Sequence, residues 1–270
     1  MGEVAITERG EGPPVLLLHG LNGFKEGWGP LPGAIAAAGM RAVTADLPGS
    51  GASPRPARGR AAPAALARAV EALADRLGPL ALVAHSLGAQ VAMLAARARP
   101  ALVRRLVLLA PWVEPHRRRM PPRGVADLLA LPLVGRPLAR LAIRAMRRDP
   151  ARRRAAFAGA LGDPAALARD PAAAALLEEA AARLARADVR AMADWAASGI
   201  RLDVRPLAAG IAAPALVVAG DRDRVTRADG AARLAAAFPR GRLLRVPGAG
   251  HFPHIERPGE VLPAVVEHLR

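Results

Sequence analysis

The residue best suited to chemistry is Ser86, which stands in the run Ala84-His85-Ser86-Leu87-Gly88. An apolar stretch precedes this run and a helical pattern follows it, so the serine is predicted at a sharp strand-to-helix turn, a nucleophile elbow. Such a turn needs small residues two positions before and two positions after the nucleophile, and Ala84 and Gly88 are both small. The chain has no cysteine that could act instead. We therefore interpret Ser86 as the nucleophile of a covalent reaction.

A serine hydroxyl needs a base that removes its proton and a third group that orients the base. His251 and His254 are the candidate bases, and Asp221 and Asp223 are the candidate acids. Each pair follows an apolar run that predicts a strand. Spacing alone leaves open which histidine and which aspartate act.

The elements that must position these residues alternate between strands and helices. Apolar runs in the first half predict strands at residues 15–18, 42–45, 80–84 and 106–109. Helical composition follows at residues 33–38, 63–77 and 87–98, and in the second half strands at 215–219 and 243–246 alternate with helices at 228–237 and 259–269. Repeated βαβ order predicts an α/β fold with a mostly parallel, doubly wound sheet. Ligand-binding groups of such a sheet gather at the carboxyl ends of its strands.

An insertion interrupts this alternation between residues 109 and 215, a stretch far longer than the ~30 residues of one βαβ unit. It is rich in Ala, Leu and Arg and is divided by prolines, which predicts roughly four to six short helices. We expect residues 1–111 and 200–270 to form the core and residues 112–199 to form a helical cap, or lid, above the site.

The chain resembles the α/β-hydrolase superfamily, specifically its capped, single-domain serine hydrolases. Four motifs carry the resemblance in the family's order: His19-Gly20, Asp46-Leu47-Pro48-Gly49-Ser50-Gly51-Ala52-Ser53, the run around Ser86, and Gly220-Asp221-Arg222-Asp223 with Gly250-His251. Ala84 departs from the first glycine of the family's G-x-S-x-G pattern. The family usually opens with a two-strand hairpin, whereas only residues 4–8 precede the strand at residue 15. Whether the first family strand is present is therefore open.

The resemblance implies a role for each candidate. The family's chain order of serine, acid and histidine selects Ser86, Asp223 and His251, because the family's acid stands three residues past the glycine that ends its strand. The resemblance also implies an oxyanion hole made by the backbone N–H groups of Leu21 and Leu87.

The other polar residues of these motifs receive structural interpretations. We expect Asp221 to cap its loop or pair with an arginine, and His254 to be structural or to line the pocket. His19 is expected to brace its loop through hydrogen bonds, and His85 is given no role. His251, His254 and Glu256 share one loop without further ligands nearby, so we expect no metal site.

The nucleophile type limits the reaction. Family members that open epoxides or dehalogenate haloalkanes use an aspartate at the position of Ser86, so acyl chemistry remains. We interpret the protein as a carboxylic-ester hydrolase that needs no cofactor and acts on a small-molecule acyl substrate. A C–C bond hydrolase or a perhydrolase would use the same triad, and a ligand receptor with a slow or silent triad is the alternative from another class.

Four aromatic residues are candidates for substrate contacts. Trp28 and Trp112 follow strands on the side of the site, and Phe157 and Trp195 belong to the predicted cap. We expect the cap residues to govern the size of the substrate.

The formal net charge of +16 arises from arginine, since Lys25 is the only lysine among 39 basic residues. We attribute this excess to a compositional bias of an Ala-rich chain and expect no nucleic-acid partner. Arginines are concentrated in residues 114–154, where Arg136, Arg140, Arg144 and Arg147 follow helical spacing opposite an apolar side of Leu138, Leu141, Ala142, Ala145 and Met146. A solvated helix face is the favoured interpretation, and attachment to a membrane surface is the second.

Neither a signal peptide nor a membrane-spanning run is recognisable in the sequence. Together with the lack of cysteine, this predicts a cytoplasmic protein. Its oligomeric state is left open.

Overall fold

The computed structural model describes residues 4–55, 62–115, 131, 133–226 and 228–270. Within them, seven strands form one sheet: β1 (Ile6–Arg9), β2 (Pro14–Leu18), β3 (Arg41–Ala45), β4 (Leu80–His85), β5 (Val103–Leu109), β6 (Ala215–Gly220) and β7 (Gly241–Val246). Their order across the sheet is β1-β3-β2-β4-β5-β6-β7. Strand β1 runs antiparallel to β3, and all other neighbours are parallel. The predicted α/β class with a mostly parallel sheet is confirmed.

Helices cover both faces of the sheet and connect its parallel strands. They are α1 (Leu31–Ala37), α2 (Pro63–Leu77), α3 (Gly88–Ala98), α9 (Ala228–Ala237), α10 (Pro253–Glu256) and α11 (Pro258–Leu269), with α4 to α8 described below. One apolar cluster joins the sheet to α2, α3 and α9, and a second joins it to α1 and α11. Because both faces are covered, the central strands are apolar throughout rather than alternating. Every residue of β4 is buried for this reason.

Among the described residues between β5 and β6 there are five α-helices: α4 (Gly135–Arg148), α5 (Pro150–Ala158), α6 (Pro164–Ala168), α7 (Pro171–Arg186) and α8 (Val189–Gly199). We call residues 112–199 the insert. An aspartate side chain accepts hydrogen bonds from the first turn of each of the last four helices; these residues are Asp149, Asp163, Asp170 and Asp188. Proline follows the first three of them and suits the first helical position. The repeated Asp-Pro pairs therefore explain where α5, α6 and α7 begin.

Helix α4 differs from its predicted orientation. Its buried side chains are Ala139 and Ile143, which pack with Leu184 and Met192 of α7 and α8. Leu141, placed on the apolar side by the sequence, is 64% exposed. Met146 of the predicted apolar side packs against this cluster, so the predicted side is wrong for Leu141 but not for Met146.

The N-terminal edge of the sheet has a single strand before β2. Strand β1 pairs with β3, with Ile6 opposite Ala45, so among residues from position 4 onward the family's opening hairpin is represented by one strand. In the described part of the chain, no helix combines the length and the apolar character needed to cross a membrane. The arginine-rich stretch of residues 114–154 lies partly outside the described residues, at 116–130 and 132.

Candidate active site

Ser86 lies at the turn between β4 and α3. Its φ angle is +54°, in the left-handed region that costs a residue with a side chain about 1–2 kcal/mol. Backbone hydrogen bonds hold this conformation: Ser86 N–H donates to the carbonyl of Leu109 at 3.0 Å, and the Ser86 carbonyl accepts from Ala89 at 3.0 Å and Trp112 at 3.1 Å. The turn directs the serine away from the regular course of both elements, as a nucleophile elbow does.

Gly88 shows how tightly this turn packs against β2. A Cβ at Gly88 would lie 2.5 Å from the carbonyl oxygen of His19 and 2.6 Å from that of Leu18. Only glycine permits this approach. The elbow is thereby placed beside the loop that follows β2, which contains Leu21.

Three polar side chains from three different loops meet at Ser86. The Oγ of Ser86 is 2.9 Å from Nε2 of His251, and Nδ1 of His251 is 2.9 Å from Oδ2 of Asp223. Asp223 follows β6 and His251 follows β7, so the parallel sheet brings both to the carboxyl edge where the serine lies. In this arrangement the serine hydroxyl can donate to His251, and the Nδ1–H of His251 can donate to the carboxylate.

Asp223 is held as a carboxylate by its own loop. Its Oδ1 accepts from the N–H groups of Val225 and Thr226, and its Oδ2 accepts from the Thr226 hydroxyl at 2.6 Å. Burial alone would raise the pKa of Asp223, but the hydrogen bonds from His251 and Thr226 and the charge of His251 lower it below its ordinary value of 3.8. The negative charge needed to orient an imidazole is thus retained.

Asp221, the competing acid, does not reach His251. Its Oδ1 accepts a hydrogen bond from the N–H of Gly248 at 2.7 Å, and the side chain is exposed. It ties the β6 loop to the β7 loop, which agrees with the expected capping role.

The backbone of His251 is held at both ends. Its N–H donates to the carbonyl of Ala160 in the insert at 2.8 Å, and its carbonyl accepts from Nε2–H of His85 at 2.7 Å. Burial, followed by the charges of His251 and His254, lowers the pKa of His85 well below its ordinary 6.5, so the ring is neutral. His85 was given no role from sequence, yet it ties the elbow to the backbone of the residue that faces the serine.

Glu256 is a second residue that sequence reasoning missed. Its buried carboxylate accepts from the N–H groups of Gly250 and Phe252, which flank His251, and from Gly162 of the insert at 2.7 Å. A signal was present: a lone glutamate directly after an apolar run must find donors if it is buried. The described residues, His251, His254 and Glu256 among them, contain no cluster of three side chains placed to hold a metal ion.

The insert touches this loop through its main chain as well as through side chains such as Phe157. A Cβ at Gly162 would lie 2.4 Å from the carbonyl oxygen of Gly248 and 2.7 Å from the nitrogen of Gly250. Such an approach requires glycine at this position. The insert is therefore in direct contact with the loop that carries His251.

The loop after β2 presents the other expected feature. Among the described residues, no hydrogen bond uses the backbone N–H of Leu21 or of Leu87. His19 braces this loop as expected, since its Nδ1–H donates to the Gly20 carbonyl and its Nε2 accepts from the N–H of Leu47. Asp46 adds two further anchors by accepting from the N–H groups of Lys25 and Ala52.

A narrow apolar pocket of about 60 Å³ lies beside this loop. Trp28 and Phe157 line it, together with His85, Leu177, Phe252 and Ile255. His254 also lines it; burial first and the charge of His251 second lower the pKa of His254 to about 3, so its ring is neutral. The pocket can hold a small uncharged group.

The remaining two aromatic candidates are placed elsewhere. Trp195 is buried in the apolar cluster under α2 and α3, with its ring 6.1 Å from that of His19. Trp112 packs against the same cluster. Neither lines the narrow pocket, so both act through packing in this structure.

Comparison with known proteins gives the family. A family model described as the alpha/beta hydrolase fold matches residues 13–258. A pimeloyl-[acyl-carrier protein] methyl ester esterase of Xanthomonas campestris pv. campestris (strain B100) is 29% identical over 276 residues, covering 95% of this chain and 94% of that protein. A protein of Variovorax paradoxus named as a carbamate hydrolase is 37% identical over 108 residues, 39% of this chain, and the match spans 41% of that protein's length.

A solved structure shows the same fold. An esterase from Exiguobacterium antarcticum superposes with a TM-score of 0.81 at 18% identity, over 100% of this chain and 99% of that chain. The family match extends from β2 to the start of α11 and includes every loop that contributes to the site. The chain therefore belongs to the alpha/beta hydrolase fold family and is a hydrolase.

Proposed function

We propose that this protein is a carboxylic-ester hydrolase that forms an acyl-enzyme on Ser86. The observation that carries the proposal is the pair of 2.9 Å contacts that connects Ser86 to His251 and His251 to Asp223. A nucleophile, a base and an orienting acid in this geometry are the parts that acyl transfer requires.

In the proposed mechanism, Nε2 of His251 accepts the hydroxyl proton as Oγ of Ser86 attacks the ester carbonyl. The carbonyl oxygen becomes an oxyanion, to which the N–H groups of Leu21 and Leu87 donate. His251 then gives its proton to the departing alcohol, which leaves the acyl group on Ser86. Water attacks this acyl-enzyme with His251 as base, and the carboxylic acid departs. Asp223 orients the imidazole throughout and stabilises its protonated form.

The relatives and the pocket support an ester substrate. The Xanthomonas relative, which matches this chain over nearly its whole length, is by name a methyl ester esterase. The apolar pocket of about 60 Å³ is much smaller than the ~300–1,000 Å³ common for larger ligands. It therefore favours a small uncharged group on one side of the scissile bond.

Covalent labelling tests the nucleophile. A fluorophosphonate should attach to Ser86, as peptide mapping would show, and Ser86→Ala should abolish both labelling and hydrolysis of para-nitrophenyl acetate. The matched control is Ser50→Ala, because Ser50 belongs to another motif and contributes to none of the contacts at Ser86. Labelling that persists in Ser86→Ala and is lost in Ser50→Ala would overturn the assignment.

Turnover distinguishes an esterase from a ligand receptor with a silent triad. An esterase releases many equivalents of para-nitrophenol per chain, whereas a receptor releases at most one. A single burst followed by no further release would refute the proposed hydrolase.

A further inference from the structure

A second, larger concavity lies between the insert and the core. It has a volume of about 1160 Å³ and is bounded by the loop after β2, residues 49–55, and the facing ends of α4, α7 and α8. We call it the basic groove. Seven arginines line it: Arg55, Arg144, Arg147, Arg148, Arg183, Arg186 and Arg190. Among the described residues that line it, Asp188 is the only carboxylate.

Some of these arginines are fixed by the fold. Arg55 forms an ion pair with Asp188 at 2.7 Å, and Nε of Arg147 donates to the carbonyl of Ala185 at 2.8 Å. The guanidinium of Arg183 lies 4.5 Å from the centre of the Phe24 ring and pairs with acidic neighbours. These contacts give the groove defined walls.

Other arginines of the groove are not held by ion pairs among the described residues. Arg144, Arg148, Arg186 and Arg190 are exposed, and among the described residues none of them has an acidic partner. Like charges gathered in a concavity repel one another unless an anion enters. Arginine presents a planar fork of donors that matches phosphate oxygens in pairs.

The groove adjoins the proposed site of ester cleavage. Residues Asn22, Gly23 and Phe24 line both the basic groove and the narrow apolar pocket. They directly follow Leu21, whose N–H faces the proposed oxyanion. A substrate with its carbonyl at this loop can therefore place an uncharged part in the pocket and an anionic part in the groove.

We propose that the basic groove binds the phosphate-bearing part of an ester substrate, which rests on the proposed hydrolase function. This goes against the expectation that the arginine excess is only compositional, because the fold gathers arginines from three insert helices and one core loop around a single concavity. A groove of this volume is comparable in size to small-molecule sites. A membrane surface would instead meet a flat or convex face.

Two triple variants test the groove at equal loss of charge. The groove variant combines Arg144→Gln, Arg148→Gln and Arg186→Gln. The control combines Arg104→Gln, Arg240→Gln and Arg242→Gln, three exposed arginines near the ends of core strands and outside the groove lining. Titration calorimetry with tripolyphosphate measures binding without any need for hydrolysis. We expect affinity about tenfold or more weaker in the groove variant and nearly unchanged in the control.

Kinetics with two acetate esters then connects binding to turnover. For the trianionic ester acetoxypyrene trisulfonate, the groove variant should raise KM about tenfold and leave kcat within about twofold, because the lost contacts are far from the carbonyl. Hydrolysis of neutral para-nitrophenyl acetate should be unchanged in both variants. High salt should raise KM for the anionic ester only, since exposed charges are screened within ~8 Å at physiological salt.

These measurements distinguish a failure of the ester-hydrolase proposal from a failure of the groove proposal. If the wild-type protein binds tripolyphosphate but hydrolyses neither ester, the ester-hydrolase proposal fails and the groove remains an anion site. If both triple variants weaken tripolyphosphate binding equally, or if the wild type does not bind it, the groove proposal is overturned. Binding to anionic lipid vesicles that is lost only in the groove variant, without tripolyphosphate binding, would identify a lipid surface instead and also overturn it.

Discussion

At the scale of single residues, the arrangement around Ser86 depends on hydrogen bonds made by the ring and the main chain of His251. His251 has its ring, its N–H and its carbonyl all hydrogen-bonded, by Ser86, Asp223, Ala160 and His85. The two ring contacts restrict rotation of the imidazole, and the two main-chain contacts fix the backbone that carries it. A base held in this manner is already oriented before substrate arrives.

The two aspartates of the β6 loop should differ sharply on substitution. Asp223→Asn is expected to lower kcat by about 10³- to 10⁴-fold, because an amide stabilises neither the required tautomer nor the imidazolium. Asp221→Asn, the matched control, keeps an oxygen that can accept from the N–H of Gly248, so kcat should change little. Steady-state hydrolysis of para-nitrophenyl acetate measures both, and the opposite ranking would refute the assignment of Asp223.

Glu256 should behave as a positioning residue for His251. In Glu256→Gln, an amide N–H₂ replaces one of two acceptor oxygens and meets backbone donors. We expect kcat to fall about 10- to 100-fold with little change in KM, because a small displacement of the base is costly. Glu260→Gln is the control, since Glu260 is exposed on the neighbouring helix.

A double variant separates positioning from general damage. Once His251→Ala has removed the base, adding Glu256→Gln should cost no further activity, since the two residues act as a unit. Circular dichroism should show that both variants are folded. An additive loss in the double variant would indicate that Glu256 acts on something other than His251.

The residues missed by sequence share a physical reason. Ser86, Asp223 and His251 could be selected because each follows a strand within a motif of the family that the sequence resembles. Glu256 and His85 act on backbone atoms of another loop, and no local pattern shows which N–H or carbonyl will be near. Their roles appear only when three loops are brought to one edge of the sheet.

At the scale of elements, the insert contributes to the site through a few positions. Two of the four aromatic candidates, Phe157 and Trp195, belong to the insert. Phe157 lines the apolar pocket, whereas Trp195 is buried in the core cluster. Phe157→Ala should therefore shift the preference from acetate toward longer acyl esters. Activity on a series of para-nitrophenyl esters measures this shift.

Trp195→Ala is the contrasting change. It should lower the free energy of unfolding by about 3–5 kcal/mol, as removal of a large buried ring does. Acyl-chain preference should stay as in the wild type where the variant is folded. A change in chain preference without loss of stability would place Trp195 in the substrate path.

Prediction of the elements themselves succeeded where local signals were strong. The bounds of α2 and α9 agree with the predicted residues 63–77 and 228–237, because proline, glycine and apolar periodicity mark their ends. For α4 the hydrophobic pattern placed the buried face only in part, since Met146 packs against the cluster of Ala139 and Ile143 whereas Leu141 is exposed. Which face is buried was decided by the approach of α8, which is not visible in the sequence of α4 alone.

At the scale of the whole molecule, buried neutral histidines make stability depend on pH. Burial lowers the pKa values of His19 and His85, and that of His254 falls to about 3. Between pH 6.5 and the folded pKa, the unfolded chain binds protons that the folded chain does not. Stability is therefore lost as the pH falls below 6.5, and it is unaffected by these groups above that value.

Urea unfolding measures this dependence. For His254, whose pKa falls to about 3, the contribution to the free energy of unfolding should drop by about 2 kcal/mol between pH 7 and pH 5. His254→Phe keeps an aromatic ring in the pocket wall and removes one titrating group. The free energy of unfolding of this variant should therefore fall by about 2 kcal/mol less than that of the wild type between pH 7 and pH 5. Equal losses in the variant and the wild type would show that His254 is protonated in the folded protein.

The close contact of Gly162 with the loop before His251 has a consequence for protein engineering. Lid exchange between related enzymes treats the lid as a module that can be transplanted. Here residues 160–162 share main-chain hydrogen bonds and van der Waals contact with residues 248–256. A chimera that takes the insert from one parent and the histidine loop from another would combine surfaces that were not selected together. Successful grafts should carry both segments from the same parent, and chimeras that split them should fold yet lose turnover.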